Sequence, residues 1–472
     1  MELDKDLKAR QEARMLAAAA EQAQRQLGTM TQQQLDAICE AVAKAFCAAA
    51  AELAEMAVRE TGFGNTEDKI RKNEFASRQV MDAIRDMKTV GVLKEHPGEK
   101  LWEVGVPVGV IAGIIPSTNP TSTLCYKALI ALKAGNAIVF SPHPKAILCT
   151  LRASEVVARA AEAAGAPKGC VSCLGIASMA GCQELMGAAQ VKLILATGGP
   201  GMVKAAYSSG KPAIGVGAGN GPAYIHASAD VEQALSCILM SKTFDNGTIC
   251  ASEQSIIVEK AMEAQVEETA ARMGFYFMDS REAGSLAKLL FRPGGALNPE
   301  IVGRPARELA EKAGFSVPAD TKILVAREQE AGPTRPYSME KLCPVLAFFV
   351  MEDEDAVLQK AVEVLRHEGS GHTFVIHAEE EQVVRKFALQ IPVSRFLVNT
   401  PAALGGIGAT TGLFPALTLG CGAVGGSSSS NNISPLDLLN IRRVAWGRNG
   451  QPVEKKEDLV ELLTRKILER LG

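Results

Sequence analysis

The chain of 472 residues lacks a strong charge of either sign, a long apolar run and a leader-like start. Its formal net charge of −3 gives no basic surface of the kind that binds nucleic acid. No apolar run reaches the roughly 18 residues that a membrane-spanning helix needs. The charged start, Met1-Glu-Leu-Asp-Lys-Asp6, is unlike a secretory signal. These features predict a cytoplasmic protein that binds neither nucleic acid nor a membrane.

The cysteines also lack a regular pattern. Eleven is an odd number, and they are scattered over a long chain, which argues against a disulfide framework. Cys170-Val-Ser-Cys173 has no second pair or histidine at the spacing of a zinc site, so no metal is predicted.

The order of strand-like and helix-like segments indicates the fold class. From about residue 98 to 421 the two types alternate, which predicts an α/β architecture with mainly parallel sheets. Three helices are predicted before this region, at 3–26, from Thr31 to about residue 60, and at 67–89. After it, residues 427–432 resemble a linker by composition. Residues 457–471 predict an amphipathic helix with one apolar face, formed by Leu459, Leu462, Leu463, Ile467 and Leu471.

One cysteine stands out as a candidate for chemistry. Cys250 lies between a helical segment, 231–240, and an apolar strand-like run, 255–259. Rigid flanks can hold a thiol on such a connection, and a cysteine thiolate forms thioesters and thiohemiacetals. The alternative is a small buried hydrophobic residue.

A polar loop follows the buried strand at 108–115. In Pro116-Ser-Thr-Asn-Pro-Thr-Ser-Thr123, Asn119 stands just past the carboxyl end of that strand, where open α/β sheets bind ligands. Its amide can donate to a developing oxyanion. The alternative is an Asn-Pro turn that caps the following helix.

Two glycine turns come between this loop and the cysteine. Thr197-Gly-Gly-Pro-Gly201 follows a strand and opens a helix, where backbone amides can meet a phosphate. Gly215-Val-Gly-Ala-Gly-Asn-Gly221 is followed by Pro222 rather than a helix, so it does not fit a dinucleotide fingerprint. It is predicted as a turn beside the active site that bridges two domains.

These motifs, in this order, resemble the aldehyde dehydrogenase superfamily. Thr243-Phe-Asp-Asn-Gly-Thr-Ile-Cys-Ala-Ser-Glu253 is similar to the coenzyme A-acylating branch, especially the amino-terminal half of bifunctional aldehyde/alcohol dehydrogenases, and the match runs from about residue 56 to 445. The resemblance implies a Rossmann-like NAD-binding domain at 1–221, with an oligomerisation strand near 99–109, and a catalytic domain at 222–421. A linker and oligomerisation arm at 422–447 and a linker plus helix at 448–472 would follow.

The resemblance also implies site residues. Cys250 is the nucleophile, Asn119 the oxyanion donor, and His372 a group that positions or deprotonates the coenzyme A thiol, with a structural histidine as the alternative. Glu340, in Glu340-Lys-Leu-Cys-Pro344, matches the residue that binds the nicotinamide ribose. Ser141 stands where the superfamily often has a lysine, which leaves NAD versus NADP open. The full set of implied cofactor contacts is Ile114, Ile115, Pro116, Ser117, Thr118, Asn119, His143, Gly199, Gly217, Glu340 and Leu419.

One residue distinguishes acylating from hydrolytic relatives. Hydrolytic aldehyde dehydrogenases carry a glutamate that activates water, and the aligned residue here is Val216. Valine cannot accept a proton, so coenzyme A is expected to collect the acyl group. The predicted reaction is short-chain aldehyde + CoA + NAD⁺ to acyl-CoA + NADH, with acetaldehyde or propionaldehyde favoured. The alternatives are a sulfoacetaldehyde dehydrogenase, a hydrolytic aldehyde dehydrogenase, a reductase of acyl phosphates and a non-catalytic scaffold subunit.

Partners are implied by the same resemblance. A homodimer or larger homo-oligomer is expected. The helix at 457–471 fits docking on a partner, such as the shell of a bacterial microcompartment, and equally fits packing on its own subunit. The expected location is therefore the cytoplasm, inside such a compartment if the helix is a targeting segment.

Overall fold

The structure is a computed structural model that describes residues 4–447 and 456–472 of the chain. The amino-terminal part of the chain forms a layer of helices. Its members are α1 (Lys5–Leu27), α2 (Gln32–Ala48), α3 (Ala50–Thr61), α4 (Thr66–Glu74) and α5 (Val80–Ile84), with a π-helical turn, Phe75–Gln79, before α5. Thr31 caps α2 in a capping box with Gln34, which confirms the predicted start. Two predictions are wrong: the helix expected from Thr31 to about residue 60 is broken at Ala49 into α2 and α3, and the last helix stops at Ile84 rather than near residue 89.

The first large sheet has five strands, all parallel. An antiparallel pair of strands, β1 (Gly91–His96) and β2 (Leu101–Pro107), precedes it in the chain. Sequence analysis missed β1. The elements of the five-stranded sheet are β3 (Val110–Ile114), α6 (Pro120–Lys133), β4 (Ala137–Ser141), α7 (Ile147–Ala163), β5 (Val171–Cys173), α8 (Met179–Gly187), β6 (Val191–Thr197), α9 (Pro200–Tyr207) and β7 (Ala213–Val216). The strand order is β5-β4-β3-β6-β7. The chain therefore changes direction across the sheet between β3 and β6, and a crevice opens at their carboxyl ends.

The second large sheet has seven parallel strands in the order β10-β11-β12-β9-β8-β13-β14. Its strands are β8 (Gly221–Ile225), β9 (Glu253–Glu259), β10 (Phe275–Phe277), β11 (Ile323–Arg327), β12 (Val345–Met351), β13 (Gly371–His377) and β14 (Val393–Val398). Its helices are α10 (Val231–Thr243), α11 (Glu263–Arg272), α12 (Ser280–Leu290), α13 (Ala306–Lys312), α14 (Glu354–His367), α15 (Glu381–Ala388) and α16 (Ala402–Gly406). The predicted α/β class with parallel sheets is confirmed.

Both faces of the second sheet are buried. Along β9, Ile257 belongs to one apolar cluster, whereas Ile256 and Val258 belong to the cluster on the opposite face. A strand covered on both sides reads as a continuous apolar run, because successive side chains point to opposite faces. This explains why 255–259 was recognisable as a strand.

The segment at 427–432 is not a free linker, so that expectation is wrong. The Ser427 hydroxyl donates to the Gly215 carbonyl at 2.9 Å, and the Ser428 hydroxyl donates to the Ala213 carbonyl at 2.7 Å. Asn432 Nδ2 donates to the Phe414 carbonyl at 2.8 Å. The serine hydroxyls that suggested a linker in the sequence therefore bind strand β7, and the Asn432 amide binds a neighbouring loop.

The carboxyl-terminal strand completes a third sheet. β15 (Leu439–Ala445) pairs antiparallel with β2 of the same chain, giving the order β1-β2-β15. Trp102 and Trp446 meet edge to face across it with ring centroids 4.8 Å apart, and both rings are partly exposed. The strand near Leu101 and the terminal arm, both expected to serve oligomerisation, thus pair with each other within one chain.

The last described element is α17 (Lys456–Leu471). The side chains of Leu463, Ile467 and Leu471 are exposed along it. The expected linker at 448–455 and the side chains of Leu459 and Leu462 lie outside the described residues. In the parts of the chain that the structure describes, no helix has the length and apolar character to cross a membrane.

Replacing Tyr126 tests whether the segment before β15 is anchored. The Tyr126 hydroxyl donates to the Ile433 carbonyl, and both residues are fully buried. Tyr126→Phe leaves that carbonyl without its partner, so we expect the free energy of unfolding to fall by about 1–3 kcal/mol in a denaturant titration. Tyr276→Phe is the control, because its hydroxyl bonds Glu282 at a partly exposed site. Equal stability of the two variants would contradict the anchoring role.

Candidate active site

A cavity of about 230 Å³ opens at the carboxyl ends of β3, β6 and β7, beside the turn that leads into β9. Its walls come from loops of both large sheets. They are residues 116–119, Thr123, His143, 197–200, 216–218, 248–250, Glu340, Leu342, Ile407, Leu417 and Leu419.

Most of the predicted site residues meet in this cavity. Cys250 and Asn119 line it, as do all the expected cofactor contacts except Ile114 and Ile115. These two are buried at the end of β3, with 4% and 2% of their surface exposed. His372 is fully buried as well, against the Gly219 turn rather than on the cavity wall.

Cys250 follows an unusual backbone turn. Asp245, Asn246 and Gly247 have φ angles of 48°, 51° and 76°, three successive residues in the left-handed region. Asp and Asn tolerate this region better than most residues, and glycine adopts it freely. The turn carries the chain from α10 to Cys250, three residues before β9 begins.

The Cys250 thiol is a neutral group in the ligand-free protein. Burial, followed by the nearby Glu340 carboxyl, raises its pKa to about 12 against the opposing effect of Arg395. At neutral pH the proton therefore stays on sulfur until bound ligands change the surroundings.

Asn119 does not cap α6, so that alternative is wrong. It occupies the cap position without a side-chain cap hydrogen bond. Instead, its Nδ2 donates to the Thr248 carbonyl at 3.3 Å and to Thr118 Oγ1 at 3.2 Å. Its Oδ1 accepts a hydrogen bond from Lys72 Nζ at 2.6 Å. The amide thus faces the turn that carries Cys250.

A buried charge cluster lies behind these two residues, and sequence analysis missed it. Lys69 and Lys72 of α4 both reach Asp245 Oδ2, at 2.9 Å and 2.5 Å. The exposed fractions of the three side chains are 3%, 2% and 0%. The available signals were the i, i+3 spacing of the lysines, which puts them on one helix face, and the position of Asp245 inside the cysteine motif.

The Gly217–Asn220 turn fits against the cysteine only because residue 219 has no side chain. A Cβ on Gly219 would lie 2.0 Å from the Cys250 carbonyl oxygen and 3.1 Å from His372 Cε1. The Gly219 N–H donates to Glu340 Oε1 at 2.9 Å, which fixes the turn from its other side. The predicted turn therefore does lie beside the cysteine.

The proton-accepting capacity of the cavity is low. Val216, at the end of β7, is 4% exposed and lines the wall. Glu340 is the one carboxyl side chain among the described lining residues. Burial, followed by the nearby Glu368 carboxylate, raises its pKa to about 8. At pH 7 it is mostly protonated and so a poor base toward water.

The end of the cavity near α9 suits a dinucleotide. Gly199 is the cap residue of α9, and a Cβ on Gly199 or on Gly217 would meet nothing within 4 Å, so bare backbone faces open space. A helix amino terminus with exposed N–H groups attracts phosphate. His143 lies on the same wall, and its Nδ1 accepts the Lys145 N–H at 3.1 Å. Among the described residues, no group of three or more metal-binding side chains could hold a metal ion.

His372 has one free nitrogen. Its Nδ1 is 2.9 Å from Thr373 Oγ1, whereas its buried Nε2 has no partner. Burial, with a smaller effect of Arg395, lowers its pKa to about 3, so the imidazole is neutral. A role toward coenzyme A stays a prediction.

Comparisons with known proteins agree with this geometry. The sequence profile of the Aldehyde dehydrogenase family matches residues 5–280. The bifunctional aldehyde-alcohol dehydrogenase AdhE of Escherichia coli is 45% identical over 92% of this chain and 49% of its own length. The succinate-semialdehyde dehydrogenase (acetylating) of Clostridium kluyveri is 35% identical over 94% of this chain and 98% of its own length.

Solved structures are similar over nearly the whole chain. A probable aldehyde dehydrogenase from Listeria monocytogenes has a TM-score of 0.94 and 54% identity, covering 96% of this chain and 99% of its own. A Rhodopseudomonas palustris propionaldehyde dehydrogenase, solved with bound CoA and an acylated cysteine, has a TM-score of 0.83 and 27% identity, covering 92% and 97%.

The chain spans about half the length of the bifunctional relative that it matches, 49%. It is similar to the acetylating relative over nearly the full length of both proteins. The family profile covers more than half of the chain. The chain therefore belongs to the aldehyde dehydrogenase family.

Proposed function

We propose that this chain is a CoA-acylating aldehyde dehydrogenase, which converts a short-chain aldehyde, CoA and a nicotinamide dinucleotide to an acyl-CoA and the reduced cofactor. The observation that carries the proposal is the content of one cavity: the Cys250 thiol and the Asn119 amide, with Val216 in place of a water-activating carboxylate. Relatives named as acetylating, and a similar structure with CoA and an acylated cysteine, support it.

In the first half-reaction, the Cys250 thiol gives up its proton to solvent as its sulfur bonds to the aldehyde carbon, and the C=O double bond opens to give an anionic thiohemiacetal. The former carbonyl oxygen becomes an oxyanion, which the Asn119 Nδ2 group and the Cys250 backbone N–H stabilise. A bound nicotinamide ring would supply the hydride acceptor. The lining residues 197–200, Gly217, His143 and Glu340 would hold the dinucleotide. Loss of hydride leaves a thioester on Cys250.

In the second half-reaction, the acceptor of the acyl group is a thiol rather than water. Val216 has no basic atom, and the raised pKa of Glu340 leaves that carboxyl mostly protonated at neutral pH. Attack by water therefore has no carboxylate to act as general base, a contribution of roughly 10²–10⁴-fold. Coenzyme A, a better nucleophile, collects the acyl group.

The cavity favours a small, uncharged aldehyde. Apolar side chains close to the cysteine belong to Ile249, Leu342, Ile407, Leu417 and Leu419. Among the described lining residues none is a lysine or an arginine, so a sulfonate group would find no cationic partner there. Acetaldehyde and propionaldehyde therefore fit better than sulfoacetaldehyde.

A labelled intermediate on Cys250 is the first test. Enzyme incubated with acetaldehyde and NAD⁺, without CoA, should carry an acetyl group on the Cys250 peptide in mass spectrometry. Subsequent addition of CoA should remove it and release acetyl-CoA. The Cys250→Ala variant is the control and should show neither adduct nor NADH. An active enzyme whose Cys250 peptide never gains the acetyl mass would contradict the covalent mechanism.

Restoring a base tests why water is excluded. In Val216→Glu, a carboxylate faces the thioester, so NADH formation without CoA should rise by about 10²-fold relative to the unmodified enzyme. Val216→Gln is the matched control, because glutamine is nearly the same size as glutamate but has no carboxylate to accept a proton. If the two variants hydrolyse the thioester equally, the missing base is not what protects it.

The pH dependence of thiol alkylation tests the electrostatics. The Cys250 pKa lies above the accessible range, so the thiolate fraction, and with it the rate of iodoacetamide modification of the ligand-free enzyme, should rise about tenfold per pH unit from pH 7 to 9. The rate is followed by mass spectrometry of the Cys250 peptide. A plateau below pH 8 would show that the thiol is already ionised.

A further inference from the structure

The two lysines of α4 differ in what they touch, although both are buried ion partners of Asp245. Lys69 Nζ donates its other hydrogen bond to the Thr118 carbonyl at 2.9 Å. Lys72 Nζ donates to Thr248 Oγ1 at 2.9 Å and to Asn119 Oδ1 at 2.6 Å. Only Lys72 therefore contacts the side chain assigned to the oxyanion.

The contact with Lys72 determines which way the Asn119 amide points. An ammonium group donates hydrogen bonds and cannot accept them, so the Asn119 atom beside it must be the oxygen. The NH₂ group then faces the other way, where it bonds Thr118 Oγ1 and the Thr248 carbonyl, two residues before Cys250. With three acceptors around Nζ, namely Asp245, Thr248 and Asn119, every proton of the ammonium is used.

The cluster also leaves positive charge next to the amide. Two lysines share one Asp245 carboxylate oxygen, and the Asp68 carboxylate, which accepts the Asp245 N–H at 2.8 Å, also acts on Lys72. The positive charge beside the amide is therefore that of the Lys72 ammonium itself. Burial lowers the pKa of Lys72 to about 8, which still leaves the ammonium charged at pH 7. A cation bonded to the amide oxygen draws electron density from the nitrogen and makes the N–H groups stronger donors.

We infer that Lys72 is a positioning residue for the proposed reaction: it fixes the Asn119 amide with its N–H groups toward the oxyanion and polarises them. This inference rests on the proposed function, because it needs an oxyanion at Cys250. Lys72 affects only the steps in which the oxyanion exists. Its removal should therefore lower kcat rather than weaken binding of the aldehyde.

Lys72→Met and Lys69→Met are a matched pair. Each removes one buried ammonium, and each leaves Asp245 with its other lysine. We expect Lys72→Met to lower kcat for CoA-dependent NADH formation by about 10- to 100-fold, the loss typical of a hydrogen bond to a charged group, with little change in KM for the aldehyde. Lys69→Met should change kcat far less, while both variants lose similar thermal stability.

A double-mutant cycle separates positioning from general damage to the site. Asn119→Ala alone should lower kcat by about 10²–10³-fold. If Lys72 acts through Asn119, Lys72→Met should have little further effect in that background. The iodoacetamide reactivity of Cys250 should change no more in Lys72→Met than in Lys69→Met, because in both variants Asp245 keeps one lysine and its bond from the Thr248 hydroxyl. If the methionine variant does not fold, Lys72→Gln, which keeps a donor without the charge, is judged by the same cycle.

The outcomes distinguish the two proposals. An unmodified enzyme without CoA-dependent activity would overturn the proposed function and this inference with it. An active enzyme in which Lys72→Met matches Lys69→Met, or in which the effects of Lys72→Met and Asn119→Ala multiply fully, would overturn the positioning role and leave the proposed function intact.

Discussion

The buried carboxylate of Asp245 joins the parts of the chain that make the site. It bonds Lys69 and Lys72 from the helical layer and the Thr248 hydroxyl in the cysteine turn, and those lysines in turn reach the loop after β3. Removing one partner of a buried ion pair typically destabilises a protein by about 3–5 kcal/mol, because the remaining charge is left unpaired. The helices, which carry no reacting group, are therefore part of what holds the nucleophile and the amide in register.

The ligand-free site carries little charge where the chemistry occurs. Burial raises the pKa of both the Cys250 thiol and the Glu340 carboxyl, so at neutral pH both groups are mostly uncharged. The Lys72 ammonium contacts the Asn119 amide, which lines the same cavity. Such a site is preorganised for a negative charge that appears only during the reaction, which is where fixed donors contribute most to rate.

Sequence analysis predicted the features that depend on patterns of neighbouring residues. Apolar runs marked strands β3 and β9. The motif around Cys250 and the loop at Asn119 identified two residues that the structure brings to one cavity. The lysine cluster could not be predicted, because exposure of a lysine depends on which distant segment covers it. For the same reason the serines at 427 and 428 suggested a linker, although they bond the end of β7. Strand β1 was missed because its residues are exposed or partly exposed and show no regular alternation of apolar and polar side chains. It is held as a strand by antiparallel pairing with β2.

The walls of the cavity come from positions as far apart as Pro116 and Leu419. During synthesis, Cys250 leaves the ribosome before the segments that contain Leu342 and Leu419 have been made. In that interval its thiol is in water with an ordinary pKa of about 8.5, well below the raised value of the folded chain. A thiol with the lower pKa is more open to oxidation and to electrophiles. The nascent polypeptide is thus the state in which the Cys250 thiol is most vulnerable, and completion of the fold lowers its reactivity.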